Sequence, residues 1–190
     1  MTKIIAIVGM CGAGKSILAD ELVKLNWGFV RFGQITLDIA KEQGVSGEAA
    51  EKKIREKIRA KHGMGAYATL NIPKFDAVLA EKNLVADGLY SWSEYKILKE
   101  YYGDRLTVVA VYAPPALRYE RISNRHSDAA DTTLRNRNFT KDEARARDFA
   151  EIENIEKAGP IVMADYTILN TETTEEYKQE IKKFLKIYAN

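Results

Sequence analysis

With 190 residues, 46 % of them apolar and 29 % charged, the chain has the profile of one globular domain large enough for a substantial core. A formal net charge of +2 gives no reason to expect nucleic acid as the main partner, and a single cysteine excludes an internal disulfide and fits a reducing compartment. No apolar run approaches the roughly 18 residues of a membrane span, and Ile4–Val8 is too short for a signal peptide, so a cytoplasmic protein with no membrane partner is expected.

That short run reads as a buried strand, and it leads directly into Gly9-Met10-Cys11-Gly12-Ala13-Gly14-Lys15-Ser16. This is the pattern G-x-x-x-x-G-K-[ST] of a phosphate-binding P-loop. Glycines without a Cβ let the backbone approach a polyphosphate, and the loop's N–H groups form an anion nest at the start of a helix. Lys15 is expected to reach the β- and γ-phosphates and the Ser16 hydroxyl to ligate Mg²⁺. The amphipathic segment that follows (about 14–26), with Ile17, Leu18, Leu22, Val23 and Leu25 as its apolar set, supplies that helix. Strand, loop and helix agree on a nucleotide-binding protein. Cys11 reads as a small side chain that fits the loop.

Gly28-Phe29-Val30-Arg31-Phe32 reads as a second strand ended by Gly33. A helix over 34–43 carries Ile35, Ile39 and Ala40 on one side and closes at Gly44. Ser46 is expected to cap the next helix, where Ala50, Ile54 and Ile58 recur every four residues on an otherwise solvated, charged segment. Arg55 or Arg59 could alternatively reach a substrate phosphate from there. His62-Gly63-Met64-Gly65 breaks the pattern, and His62 has no partner at a metal-ligand spacing. A further helix runs to about Glu81, bent or restarted at Pro73.

The strand Leu84-Val85-Ala86 ends in Asp87-Gly88. In a P-loop protein, a carboxylate at a neighbouring strand end helps hold Mg²⁺ through its water shell. Helix 92–102 leads to strand Leu106–Tyr112, stopped by Pro114-Pro115, which open another helix. The last strand is Tyr166–Leu169, and a final helix (about 174–188) turns Tyr177, Ile181, Phe184, Leu185 and Tyr188 inward. Strands alternate with helices throughout, which implies a parallel sheet covered on both faces.

Arginine is unevenly placed. Of 11 arginines, seven lie between 118 and 147 (Arg118, Arg121, Arg125, Arg135, Arg137, Arg145, Arg147), whereas of 18 lysines only Lys141 is there. Arginine is preferred where a planar fork grips phosphate oxygens or stacks on a base. Arg121 and Arg125 share a helical face at i,i+4. The polar stretch His126–Thr140 suits a lid bringing positive charge over transferring phosphates. Glu120, Asp128, Asp131, Asp142 and Glu143 blunt the field and weigh against a nucleic-acid surface.

Taken together, Gly9–Ser16, Val30-Arg31-Phe32-Gly33, His62-Gly63-Met64, Ala86-Asp87-Gly88, Glu120-Arg121 through Arg125, Arg147-Asp148 and Ala164-Asp165-Tyr166 through Asn170 resemble the adenylate-kinase-like branch of P-loop kinases, nearest its adenylate-kinase-related and dephospho-CoA-kinase-like group. The resemblance covers nearly the whole chain. It implies a three-layer α/β/α P-loop NTPase fold with a five-stranded parallel sheet: a single domain, 1–190, with an acceptor-binding insertion (about 34–82) and a small lid (about 126–147). It implies that Gly9, Gly12, Ala13, Gly14, Lys15, Ser16 and Ile17 bind ATP phosphates and that Asp87 joins Ser16 in supporting Mg²⁺. Arg121 and Arg125 would contact the donor nucleotide, with Arg121 near the adenine, and Asn170 to Thr173 would border the base. Arg147, alone or joined by Arg145, would clamp the moving phosphoryl group.

Departures fall on the acceptor side. No arginine follows Gly33 in Gln34-Ile35-Thr36-Leu37-Asp38, and Leu89-Tyr90-Ser91-Trp92 stands where an arginine usually grips the acceptor phosphate. Tyr90 and Trp92 read as core or edge aromatics, or else as pocket walls, and Arg31, Arg55 or Lys74 are candidates to compensate. An ATP- and Mg²⁺-dependent small-molecule kinase is therefore expected, with a nucleotide or deoxynucleotide as leading acceptor and a cofactor-precursor hydroxyl second. A nucleotide-binding switch and a nucleic-acid-processing ATPase are the competing readings. The chain is expected to act as a monomer or homodimer, and the lack of an Asn-Lys-x-Asp motif favours adenine.

Overall fold

A computed structural model describes residues 1–125 and 138–189. Five parallel strands, β1 (Ile4–Val8), β2 (Gly28–Arg31), β3 (Leu84–Asp87), β4 (Leu106–Tyr112) and β5 (Tyr166–Leu169), form one sheet in the order β2-β3-β1-β4-β5. The three-layer fold is as the sequence implies. Period-two alternation sorts each strand's side chains between two cores. Ile5 and Ile7 of β1, Val85 of β3 and Val109 and Val111 of β4 pack under α1 (Lys15–Lys24) and α9 (Thr174–Tyr188). Ile4, Ala6 and Val8, with Leu84, Ala86, Leu106, Val108 and Ala110, face the other layer.

That second layer holds α2 (Gln34–Glu42), α3 (Glu48–His62), α4 (Ala66–Leu79), α5 (Trp92–Tyr102) and the short α8 (Ala158–Val162). Helices α6 (Pro115–Ser123) and α7 (Lys141–Ile155) pack on each other. Two local expectations need correction. Ser46 does not cap α3, because Gly47 stands at that position with φ +93°, a conformation glycine adopts at no steric cost. Pro73 neither ends nor restarts a helix, since α4 runs through it from Ala66 to Leu79. Its apolar burial, with Tyr67 and Phe75 fully enclosed, outweighs the one lost backbone bond. Among the described residues, no helix is long and apolar enough to cross a membrane.

Candidate active site

Strand β1 lies between β3 and β4, and the connections on its two sides run in opposite directions, from β1 out to β2 and from β3 back across to β4. Ligands of open parallel sheets bind at such a switch point. Here the loop 9–14 crosses from β1 to α1. Gly9 has φ +138°, and a Cβ there would stand 2.4 Å from the Val111 carbonyl oxygen. Gly14 has φ +103°, and its Cβ would meet Asn170 Nδ2 at 2.4 Å. Only glycine lets the loop lie this close to β4 and to the end of β5.

The loop's carbonyls are held from outside. Arg118 donates to the Cys11 carbonyl at 3.0 Å, Asn170 Nδ2 to that of Ala13 at 2.8 Å, and the Tyr177 hydroxyl to that of Gly14 at 3.0 Å. With those acceptors engaged, what the loop offers a ligand is N–H donors. Lys15 Nζ donates back to the Gly9 and Met10 carbonyls at 2.9 and 3.0 Å. Burial, and then the positive charge of Lys157, lower its pKa to about 8, with Asp87 and Glu151 among the groups opposing.

Asp87 pairs in register with Ile7, and its buried carboxylate has one oxygen, Oδ1, without a hydrogen-bond partner. An orphaned carboxylate oxygen near Lys15, with the half-buried Ser16 hydroxyl opening α1, fits a nucleotide-borne Mg²⁺. No group of three or more His, Cys, Asp or Glu among the described residues could hold a metal alone. Phosphate oxygens and water would have to complete the coordination, as Mg²⁺ prefers.

The sequence-predicted arginines separate into different roles. Arg121 donates to the Asn170 carbonyl at 2.9 Å and to its side-chain oxygen at 3.3 Å, which brings these two residues together beside Ala13. Ile17 follows in the first turn of α1, its N–H bonded to the Gly14 carbonyl at 3.1 Å. Arg125 is half-buried just past α6, and its carbonyl accepts from Asn138 Nδ2 at 2.9 Å. Arg147 Nε donates to Glu151 at 3.0 Å, and its guanidinium lies over the Phe139 ring. Burial works against that charge, but Glu151 keeps Arg147 protonated beyond its usual range. Arg145 lies over Phe149 instead.

Arg118 lies before the expected lid in the chain. It is 4 % exposed and forks onto Asp148 at 3.0 and 2.5 Å, with Nε on the Ala113 carbonyl, so it braces the loop. Arg135, Arg137 and the centre of the expected lid (126–137) lie outside the described residues.

On the acceptor side, Trp92 stacks on Tyr95 at 5.0 Å and packs against Gly159, so it is a packing aromatic. Tyr90 places its hydroxyl beside Gly33 and Gly88. Arg55 pairs with Glu48 and Glu51, and Lys74 with Asp38 at 3.8 Å. The residue that sequence reasoning missed is Lys157. It is 3 % exposed, 2.5 Å from Glu151 and 4.9 Å above the Tyr90 ring. Burial alone would raise the Glu151 pKa, but Lys157 and Arg147 bring it down to about 2. Only a lysine among acidic neighbours after α7 marked the position in the sequence, and its partners come from tertiary packing.

A family model described as an AAA domain matches residues 5–148. A UPF0200 protein of Sulfurisphaera tokodaii is 33 % identical over 187 residues, covering 98 % of this chain and 97 % of its own. A crystal structure of shikimate kinase from Bacteroides thetaiotaomicron superposes with a TM-score of 0.59 at 15 % identity, covering 99 % of each chain. A gluconokinase from Sinorhizobium meliloti 1021 gives 0.56 at 14 % identity, covering 98 % of this chain and 93 % of its own. These structural likenesses establish a shared fold.

Proposed function

The chain belongs to the AAA domain family and to the UPF0200 family, and from that premise we propose that it is an ATP- and Mg²⁺-dependent small-molecule kinase. The observation that carries this reading is the pairing of a braced P-loop, with Lys15 across it, and a buried strand-end carboxylate, Asp87, that has an unpartnered oxygen. The names of the structural neighbours, shikimate kinase and gluconokinase, support it.

In this reading Gly9, Gly12, Ala13, Gly14, Lys15, Ser16 and Ile17 hold the donor phosphates, and Ser16 and Asp87 hold Mg²⁺. The bound ion neutralises charge on the β- and γ-phosphate oxygens. Arg121 and Asn170 border the base, Arg125 assists on the same face, and Arg147 clamps the moving phosphoryl group. Such transfer needs positioning and charge neutralisation rather than a covalent intermediate. A nucleotide or deoxynucleotide leads as acceptor, and a cofactor-precursor hydroxyl follows. The absence of arginines near Leu37 and Tyr90 favours one alternative, a nucleotide-binding switch without an acceptor.

The test is Lys15→Ala. It should weaken ATP·Mg²⁺ binding by about tenfold or more, the scale of one lost charged hydrogen bond. Turnover should vanish and the unfolding midpoint should stay, because the glycines and outside braces shape the loop. Unchanged ATP affinity and turnover would refute the donor site.

A further inference from the structure

The acceptor side lacks the expected arginines but is not poor in cations. One carboxylate, Glu151, takes Arg147 Nε at 3.0 Å on one oxygen and Lys157 Nζ at 2.5 Å on the other. Arg147 also reaches the exposed Glu48 at 3.9 Å, so of the two cations Lys157, almost wholly buried, is the one that depends on Glu151. Lys15 is a third cation close enough to feel Lys157. Buried positive charge of this kind is costly unless an anion offsets it.

The position of the pair is informative. Lys157 lies over Tyr90, whose hydroxyl sits beside Gly88 and Gly33 at the ends of β3 and β2. This is the Asp87 side of the loop. Arg121 and Asn170 meet elsewhere, beside Ala13.

A second, independent observation falls on the same side. The buried side-chain atoms without a hydrogen-bond partner, among the described residues, are Arg59 Nε, Asn71 Oδ1, Asp87 Oδ1 and Glu94 Oε1. They belong to neighbouring elements. Arg59 lies over the Tyr67 ring at 5.4 Å, and Asn71 Nδ2 donates to the Tyr67 carbonyl at 2.8 Å and the Phe32 carbonyl at 3.3 Å. Glu94 accepts the Tyr90 and Ser91 N–H groups on its other oxygen, at 3.0 Å each. Three of the four orphans are oxygens on Asn, Asp and Glu side chains. Such oxygens are satisfied by donors such as hydroxyl groups.

We propose that Lys157, tied through Glu151 to Arg147, is the anion-binding group of the acceptor site, and that the acceptor is a small hydroxylated molecule carrying a carboxylate or phosphate. The proposal rests on the kinase reading above and names what stands in for the missing arginines. The anion draws Lys157 from Glu151, and the hydroxyls of the acceptor turn to the unpartnered oxygens of Asn71 and Glu94, that of Asp87 being left to Mg²⁺.

The test fills the donor site with the non-hydrolysable analogue AMP-PNP and Mg²⁺, then measures binding of glycerate, glycerol 3-phosphate and glycerol by calorimetry. Wild type should bind at least one of the two anions and not glycerol, and which one it binds separates carboxylate from phosphate. Lys157→Met should weaken that anion tenfold or more while AMP-PNP still binds. Glu151→Gln should tighten the anion several-fold, because it removes the internal competitor, whereas a merely structural pair would make both variants weaker. Failure of wild type to prefer an anion over glycerol would overturn the proposal, as would an unchanged anion affinity in Lys157→Met or weaker anion binding in Glu151→Gln. Failure of wild type to bind AMP-PNP would overturn the kinase reading instead.

Discussion

Lys15 is half-buried, bonded to the carbonyls of Gly9 and Met10, and within reach of the charge on Lys157. Both burial and that second cation disfavour its ammonium form, which brings its pKa to about 8 in the nucleotide-free protein. Polyphosphate oxygens would favour the ammonium and raise the pKa again. Binding should therefore take up protons wherever the pH lies near or above the free value. At pH 8 ATP should bind with uptake of about half a proton, falling toward none near pH 6. Calorimetry in buffers of different ionisation enthalpy measures this directly. Proton release at pH 8, or no linkage between pH 7 and 9, would contradict the placement of Lys15 among the phosphates. The residue itself was legible from the P-loop pattern. Its depressed pKa was not, because Lys157 lies 142 positions along the chain and reaches it only because the turn between α7 and α8 lays it over Tyr90.

Among the elements, those with strong boundary signals were readable. Pro114-Pro115 sets the end of β4 and the start of α6. Ser91 with Glu94 and Thr173 with Glu176 form capping boxes that fix the first turns of α5 and α9. Ser46 had the residue type of a cap, but the left-handed Gly47 took that place. The arginine-rich stretch could be read by composition but not by contact. The lid expected at about 126–147 lies largely outside the described residues, and Arg118, before it in the chain, serves the joint between α6 and α7. There it forks onto Asp148, which also accepts from the Tyr119 hydroxyl at 3.0 Å. Removing one partner of a buried pair leaves the other charge uncompensated, so Arg118→Met should cost about 3–5 kcal/mol of unfolding free energy. Urea titration of the variant checks this. A loss below about 1 kcal/mol, typical of exposed pairs, would show that the joint does not depend on this pair.

At the scale of the molecule, the sheet order β2-β3-β1-β4-β5 brings the P-loop, the end of β3 and the start of α9 to one edge of the sheet. The proposed donor half is readable in the sequence because its residues are contiguous at Gly9–Ser16 and its carboxylate ends a readable strand. The proposed acceptor half is not, because Tyr90, Glu151, Lys157 and the residues around Tyr67 come from four separate segments, none with a periodic or motif signal. The most direct measurement of the kinase reading is transfer of the labelled γ-phosphoryl group from ATP·Mg²⁺ to an acceptor panel, by wild type and Lys15→Ala, with a no-acceptor control. The panel holds ribo- and deoxynucleoside monophosphates, dephospho-CoA and hydroxylated carboxylic acids. The expected result is a labelled product with one acceptor class in wild type and none in Lys15→Ala. ATP bound tightly with no product from any acceptor, or hydrolysis equally fast without one, would contradict the kinase and leave the nucleotide switch.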